Sequence, residues 1–461
     1  MTIRSLFPIG ATIALAIGTL FAQTPQQQPP PPTPPPQQPT EVSTTISSGE
    51  GTPPRFAVPD FIALSPDAET QTIAKTIGQV LWDDLNFERE FQLIPRDTYA
   101  TIPAAHGFSD VPFDRWRELN ADGVIVGTVQ KTGNGIRVEV RLFNSKTQQS
   151  VFGKQYEGSG ANPRSYAHTI SDEVHEQQRA LKGVARTKLT FDSDRDGERM
   201  TGTIEQRGVK EIYICDYDGE NQRRVTATRS LNINPSWAPD ARSIAYTSYR
   251  HGLPNIFVSH IYQATMEELT KNAGNNWLPV YSPDGTKIAF GSTRNGVNQI
   301  FVMNRDGSGV RQLTNGPAIN TTPTWSPSGT QIAFTSARTG DPAIYIIGAD
   351  GLNLQRLTTD GYADRPTWSP APFNEIAYAS RTGSGLDIKV IDIATRKVTQ
   401  LTFGEGTNES PAYAPNGRHI AFTSTRAGKV QIFTMSRDGK NLRQITRAGN
   451  NEQPNWSNVQ R

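Results

Sequence analysis

The chain has 461 residues, of which 20% are charged and 35% hydrophobic, with 39 Gly and 33 Pro. That length allows about three ordinary domains, and the composition suits a turn-rich globular protein rather than a collagen-like or wholly disordered one. A formal net charge of +2 lacks the basic excess that neutralises phosphates, which argues against nucleic acid as a partner, and a single cysteine, Cys215, excludes an internal disulfide framework and a cysteine-based metal site.

In chain order, Arg4 precedes an apolar stretch from Leu6 to Ala22, the layout of a secretory signal peptide over residues 1–22. An uncleaved anchor is the alternative. No later stretch approaches the roughly 18 apolar residues of a membrane span, so the mature chain is expected without one. Residues 25–39 are nine Pro, five Gln and one Thr, which have nothing to bury and predict an extended, solvated arm over 23–50, either a spacer or a Pro-rich ligand.

Residues 51–182 mix helical and strand patterns, and a small α/β domain is expected there. Phe56–Val58 reads as a strand, and Ser65-Pro66-Asp67 as an N-cap, first-turn proline and acidic first turn of a helix to about Leu85. Strands follow over 122–128 and 136–143 around the Gly133-Asn134-Gly135 turn, and Asn162-Pro163 opens a helix to about Gln177. Residues 41–182 carry 14 basic and 19 acidic side chains and residues 183–461 carry 31 and 25, imbalances too small to define a partner.

From 183 to 461 a 44-residue period takes over. Aliphatic-Thr pairs end at Thr226, Thr270, Thr314, Thr358, Thr402 and Thr446. Each unit holds an aliphatic-x-aromatic strand such as Ile244-Ala245-Tyr246, a second strand such as Ile256-Phe257-Val258, and a Pro-x-aromatic strand such as Pro235-Ser236-Trp237. Asp-Gly pairs such as Asp350-Gly351 predict tight turns. The first unit has no Pro-x-aromatic strand before it, and the last, Pro454-Asn455-Trp456, has nothing after it. A ring joins the two gaps. The expected fold is therefore an α/β N-terminal domain followed by an all-β six-bladed propeller closed by the C-terminal strand, with an open solenoid as the alternative.

Polar runs precede each Pro-x-aromatic strand and would ring one mouth of the propeller channel. They give the candidate partner-binding residues Asn232, Asn275, Asn276, Asn320, Thr321, Asp364, Asn408, Glu409, Asn451 and Glu452, against the alternative that each Asn caps its own turn. Arginines recurring at 195, 250, 294, 338, 381 and 426 are expected to be structural. Asp192, Asp194 and Asp196 have the spacing of half a calcium loop, but position twelve is Thr203, so an acidic hairpin is the preferred reading and metal the weak one. No cofactor motif and no catalytic signature appears, and His175-Glu176 lacks the second His of a zinc protease.

The junction Ser171-Asp172-Glu173-Val174, Leu181-Lys182-Gly183, Arg186-Thr187, together with Asp216-Tyr217-Asp218-Gly219 and Asn221-Gln222, resembles that of the TolB family of the Tol–Pal envelope system. The resemblance covers nearly the whole chain. It implies a monomeric, non-enzymatic periplasmic adaptor, whose propeller mouth binds the peptidoglycan-associated lipoprotein Pal and whose N-terminal arm binds TolA, supporting outer-membrane integrity and constriction at division. Asn275 and Thr321 fall at positions matching the family's Pal-binding mouth. Glu41, Val42, Ile46, Ser47 and Gly49 are similar to its TolA-binding box, although here the Pro/Gln tract precedes them. A secreted propeller hydrolase or glycan-binding module using the same channel is the other reading.

Overall fold

The computed structural model describes residues 45–46, 52–199, 208–271, 273–359 and 361–459. The expected signal peptide and Pro/Gln arm lie outside them, as do Glu41, Val42, Ser47 and Gly49 of the box-like segment.

The α/β part is built on one sheet in the order Gln92–Leu93, Arg55–Ala57, Gly123–Thr132, Gly135–Asn144, Ser150–Gly158, with Ile62–Ala63 also pairing along Gly123–Thr132. One face packs against helices α1 (Ala68–Glu88) and α3 (Pro163–Arg179) through Ile73, Ile77, Leu81, Leu85, Ile170 and Val174. The other is covered by the short α2 (Phe113–Glu118), whose Trp116 packs with Val124, Val126 and Phe143. Helix α1 starts later than its sequence suggests. Asp67, not Ser65, is the N-cap, because its carboxylate accepts the Thr70 amide at 2.9 Å. Both long strands run past their expected ends, and strand Ser150–Gly158, which is largely exposed and lacks a clean alternation, had no signal in the sequence.

The remainder forms six four-stranded antiparallel sheets. Their inner strands are Asn451–Trp456 (blade 1), Asn232–Trp237 (blade 2), Asn276–Tyr281 (blade 3), Asn320–Trp325 (blade 4), Ala363–Trp368 (blade 5) and Asn408–Tyr413 (blade 6). Closure is as the unmatched repeat ends required: the C-terminal strand runs antiparallel to Lys188–Ser193, with Trp456 opposite Leu189 and Asn451 opposite Ser193. The Trp456 indole N–H donates to Thr187 Oγ1 at 2.6 Å, and Lys188 and Ser457 exchange bonds at 2.8 Å.

Alternation along each second strand sorts side chains between two neighbours, since both faces of a blade are buried. Ile244 and Tyr246 of blade 2 pack against Ile212 and Ile214 of blade 1, whereas Ala245 meets Ile288 and Phe290 of blade 3. A large residue on one side and an alanine on the other lets successive sheets nest, and the same division recurs at Ala289, Ala333, Ala377 and Ala421.

Candidate functional site

The periodic threonine has a local job. In every blade its Oγ1 accepts the amide of the repeating isoleucine of the third strand at 2.9 Å: Ile212, Ile256, Ile300, Ile344, Ile388 and Ile432 bond to Thr226, Thr270, Thr314, Thr358, Thr402 and Thr446. Outside blade 4, the same hydroxyl donates to the side chain of the residue just before that isoleucine, as in Thr314 to Gln299 and Thr446 to Gln431, both 2.7 Å. That residue then receives the side-chain amide of the Asn opening the next blade's inner strand: Asn232 to Glu211 at 2.8 Å, Asn276 to Asn255 at 3.1 Å, Asn320 to Gln299 at 2.7 Å, Asn408 to Asp387 at 3.1 Å and Asn451 to Gln431 at 2.9 Å.

These contacts correct half of the expected partner-binding set. Asn232, Asn276, Asn320, Asn408 and Asn451 are fully buried clamps between neighbouring blades. The local turn contact considered as the alternative is present beside the clamp: Asn276 also donates to Gly274 O at 3.0 Å, Asn320 to Ala318 O at 3.0 Å, Asn408 to Gly406 O at 3.4 Å and Asn451 to Ala448 O at 2.9 Å. The recurring arginines complete the clamp. Arg195, Arg294, Arg338 and Arg426 donate to Asn451, Asn276, Asn320 and Asn408 at 2.7–3.1 Å and lie over the aromatic pair of their own blade. At the junction of blades 4 and 5 the clamp is missing, and it is missing on both sides: Ala343 and Ala363 occupy the two positions. Losing both partners leaves no buried group unpaired, whereas losing one would. Asn320→Ala is accordingly expected to cost about 1–3 kcal/mol. The double variant Asn320→Ala/Gln299→Ala should cost clearly less than the two single losses added, as read from urea midpoints; full additivity would show that the pair is uncoupled.

The acidic loop is likewise spoken for. Asp192 is buried against Lys210 at 2.9 Å, and burial raises its carboxyl to about 7 although Lys210 pulls the other way. Asp194 accepts Asn450 N and Nδ2 at 2.7 and 2.8 Å, and Asp196 takes the Tyr213 hydroxyl at 2.7 Å and Arg224 at 3.0 Å. The three carboxylates face different partners, and among the described residues no group of three or more His, Cys, Asp or Glu is placed to hold a metal.

What faces the channel is the second and third residue of each inner strand. The third has left-handed backbone in all six blades: Asn234, Leu278, Thr322, Arg365, Ser410 and Gln453 have φ between 48° and 57°. A bulge with a register shift sits there each time, and non-glycine residues accept such φ at a cost of order 1–3 kcal/mol only where surrounding bonds hold them. The holding bonds link adjacent blades: Asn234 N to Gln453 Oε1 at 2.8 Å, Leu278 N to Thr247 Oγ1 at 3.1 Å, Gln453 N to Thr423 Oγ1 at 3.1 Å. Of the expected set, Thr321, Asp364, Glu409 and Glu452 occupy the second position and are half-buried, while Asn275 lies just before its strand, also half-buried.

Topology fixes which end is open. Connections into the inner strands and the second-to-third-strand loops share one end of the propeller, and the other two turns share the opposite end. The α/β part sits on that opposite end, at blades 6 and 1. Glu88 of α1 bonds Arg418 at 2.6 Å and the Val184 amide at 2.6 Å, Phe87 stacks on His419 with centroids 4.5 Å apart, and Tyr217 donates to Asp84 at 2.6 Å. His168 of α3 lies 2.8 Å from Asp84, Lys188 lies 2.5 Å from Asp216, and Arg164 pairs with Asp218. Gly183 is required in this joint, since a Cβ there would stand 2.2 Å from Asp172 Oδ1, which holds the Ala185 amide at 2.9 Å. The mouth with the inner-strand lead-ins is left uncovered by the α/β part, and its rim displays large apolar side chains: Phe403 is 73% exposed, Leu253 60% and Ile319 55%. Sequence reading missed these three because it looked for polar residues at repeating positions, and they interrupt the repeat in single blades.

Ile46, the one described member of the box-like segment, is buried in the α/β core. Its amide donates to Gln178 at 2.9 Å, and its side chain lies over Gly123 and packs with Phe56 and Leu142.

Comparison with known proteins agrees with this architecture. Residues 179–460 match the family described as the TolB beta propeller domain, and residues 42–151 match the TolB amino-terminal domain. A Tol-Pal system protein TolB from Desulfosudis oleivorans is 34% identical over 201 residues, 43% of each chain, and one from Actinobacillus pleuropneumoniae serotype 5b is 30% identical over 216 residues, 46% of each. The chain thus spans less than half the length of these curated relatives in the matched stretches. The crystal structure of TolB from Acinetobacter baumannii superposes with a TM-score of 0.74 over 88% of this chain and 97% of that one, at 24% identity, which shows the shared fold. With both of its parts matched and the propeller match alone covering more than half its length, the chain belongs to the TolB family.

Proposed function

We propose that this chain is a non-enzymatic adaptor of the cell envelope that docks a partner protein on the open mouth of its propeller, the partner being the peptidoglycan-associated lipoprotein Pal of the Tol–Pal system. The observation that carries the reading is the uncovered mouth, rigidly built from interlocked blades and rimmed by Leu253, Ile319 and Phe403 at an end the α/β part leaves free. Exposed apolar side chains on a preformed, otherwise polar surface are what a protein partner desolvates. Asn275, Thr321, Asp364, Glu409 and Glu452 supply polar contacts inside that rim. Family membership supports the same system, since the curated relatives bear its name. The arm before the α/β part would engage TolA by adding a strand to its sheet edge; Ile46, held in the core, would stay out of such a strand unless released. A periplasmic location fits the signal-like start of the sequence, and no described helix is long and apolar enough to cross a membrane.

Titration calorimetry of the mature chain with the soluble domain of the same organism's Pal is the test. Leu253→Asp, Ile319→Asp and Phe403→Asp change only exposed side chains, and at least one is expected to weaken binding by about tenfold or more. Wild-type affinity in all three would remove the mouth as the docking surface.

A further inference from the structure

The channel wall is chemically lopsided. Taken blade by blade from blade 2, the second residue of the inner strand is Ile233, Trp277, Thr321, Asp364, Glu409 and Glu452, so two apolar positions and a hydroxyl are followed by three consecutive carboxylates. On the rim, Leu253 in blade 2 and Ile319 at the entry to blade 4 stand on the apolar side, whereas Phe403 stands at the entry to blade 6. The three carboxylates are not equivalent. Glu452 is paired with Lys210 at 2.7 Å, and Glu409 with Arg365 at 3.4 Å. Asp364 has no ion pair among the described residues. Its Oδ1 accepts Thr335 Oγ1 at 2.8 Å, Thr322 Oγ1 at 3.4 Å and the Arg365 amide at 2.7 Å, and its Oδ2 accepts the Tyr362 hydroxyl at 3.2 Å.

Neutral donors orient this carboxylate without cancelling its charge, and the nearest arginines are committed elsewhere. Arg365 turns to Glu409, and Arg381 lies over the Tyr362 ring at 4.8 Å. Asp364 also stands at the blade 4/5 junction, where the Asn clamp is replaced by Ala343 and Ala363, so its bonds to Thr322 and Thr335 stitch that junction from the channel side. A half-buried, fixed carboxylate without an ion pair of its own among the described residues, standing across the ring from the apolar positions of blades 2 and 3, is complementary to a cation carried on an apolar stem.

Resting on the mouth-docking reading above, we propose that Asp364 is the specificity-determining acceptor of the mouth: it receives one Lys or Arg side chain of the docked protein segment, whose neighbouring apolar side chains lie against Trp277, Leu278, Leu253 and Ile319. The partner is thereby required to present an amphipathic segment with a single inward cation, and a segment that brings a carboxylate to that point is rejected.

The test uses the mature chain and the soluble Pal domain of the same organism. Asp364→Asn keeps an oxygen for Thr335 and the Arg365 amide, so its melting temperature is expected to stay within a few degrees of wild type. Its affinity should fall about tenfold or more, and the slope of log Kd against log salt should flatten. Against single Lys→Met and Arg→Met variants of the Pal domain, one cation should lose its effect in the Asp364→Asn background, which a merely structural role for Asp364 would not produce. Unchanged affinity and salt slope in Asp364→Asn while Leu253→Asp or Ile319→Asp loses binding overturns this assignment and leaves mouth docking standing. If Asp364→Asn binds weakly but no Pal cation couples to it, the assignment is also overturned. Binding that ignores rim and Asp364 variants alike removes both readings.

Discussion

Ending the chain before Pro454 is expected to lower the unfolding free energy by several kcal/mol, the largest effect of any change considered. The deletion removes Trp456, which is 7% exposed and packs in the core between blades 6 and 1 with Leu189, Phe191, Ala414 and Ile432. Emptying such an aromatic site costs about 3–5 kcal/mol by itself. It also removes the residues paired with Leu189 and Thr190, exposing that part of Lys188–Ser193 as an unpaired edge, and leaves Asn451, whose clamp joins Gln431 to Arg195, on the stub Asn451–Gln453. Urea denaturation of the truncated and intact chains measures the loss, and Trp456→Ala isolates the packing part of it. An unchanged midpoint for the truncated chain would refute closure by this strand.

The second large effect concerns the joint between the α/β part and the propeller. Asp84 is buried and serves both His168 and Tyr217, so Asp84→Ala leaves an imidazole and a phenol without their acceptor in a dry interface. Breaking a buried pair from one side costs about 3–5 kcal/mol. The two parts should then melt as separate transitions in calorimetry, and the 180–187 connection should become accessible to protease. One cooperative transition at the wild-type temperature would contradict this account.

The same joint sets a pH dependence with two limbs. Burial works against charge on His168, but Asp84, Asp216 and Asp218 outweigh it and raise its pKa from 6.5 to about 9. The folded protein keeps a proton that the unfolded chain gives up above 6.5, so this stabilisation is complete below 6.5 and is lost as pH climbs through about 9. His419 is shifted oppositely. Burial lowers it to about 4 despite the nearby Glu88. The unfolded chain therefore binds that proton first, and stability declines as pH falls from 6.5 towards 4. Melting temperature against pH should peak near 6.5. His168→Gln should flatten the alkaline limb and His419→Gln the acid one; limbs that persist in both variants would assign them to other groups.

Much of the architecture was legible in the sequence because a period of 44 residues leaves the same signature six times. Ile244-Ala245-Tyr246 and its counterparts reveal strands, and the unmatched Trp456 strand reveals the ring, since an edge has to be paired somewhere. The threonine spacing was visible too, but its purpose was not: Thr446 and Gln431 meet only across two antiparallel strands, and Gln431 and Asn451 only across two blades. A hint was present in the column Glu211, Asn255, Gln299, Ala343, Asp387 and Gln431, where a polar residue precedes Ile in every repeat except the one followed by Ala363 instead of Asn. In the α/β part, where nothing repeats, the start of α1 slipped from Ser65 to Asp67 although α3 opens at Asn162-Pro163 as expected, and the exposed strand Ser150–Gly158 gave no pattern.

The sequence by itself determined the number of blades, the closing strand and the two-part organisation, because these follow from periodicity and from backbone groups that must find partners. Only the tertiary structure decided which polar residues are exposed. Asn232 and Asp364 occupy neighbouring steps of the same repeat pattern, yet one is sealed between blades and the other opens on the channel. A strand turns successive side chains to opposite sides, and a bulge at the next residue redirects them again, so burial depends on register and blade stacking rather than on residue type.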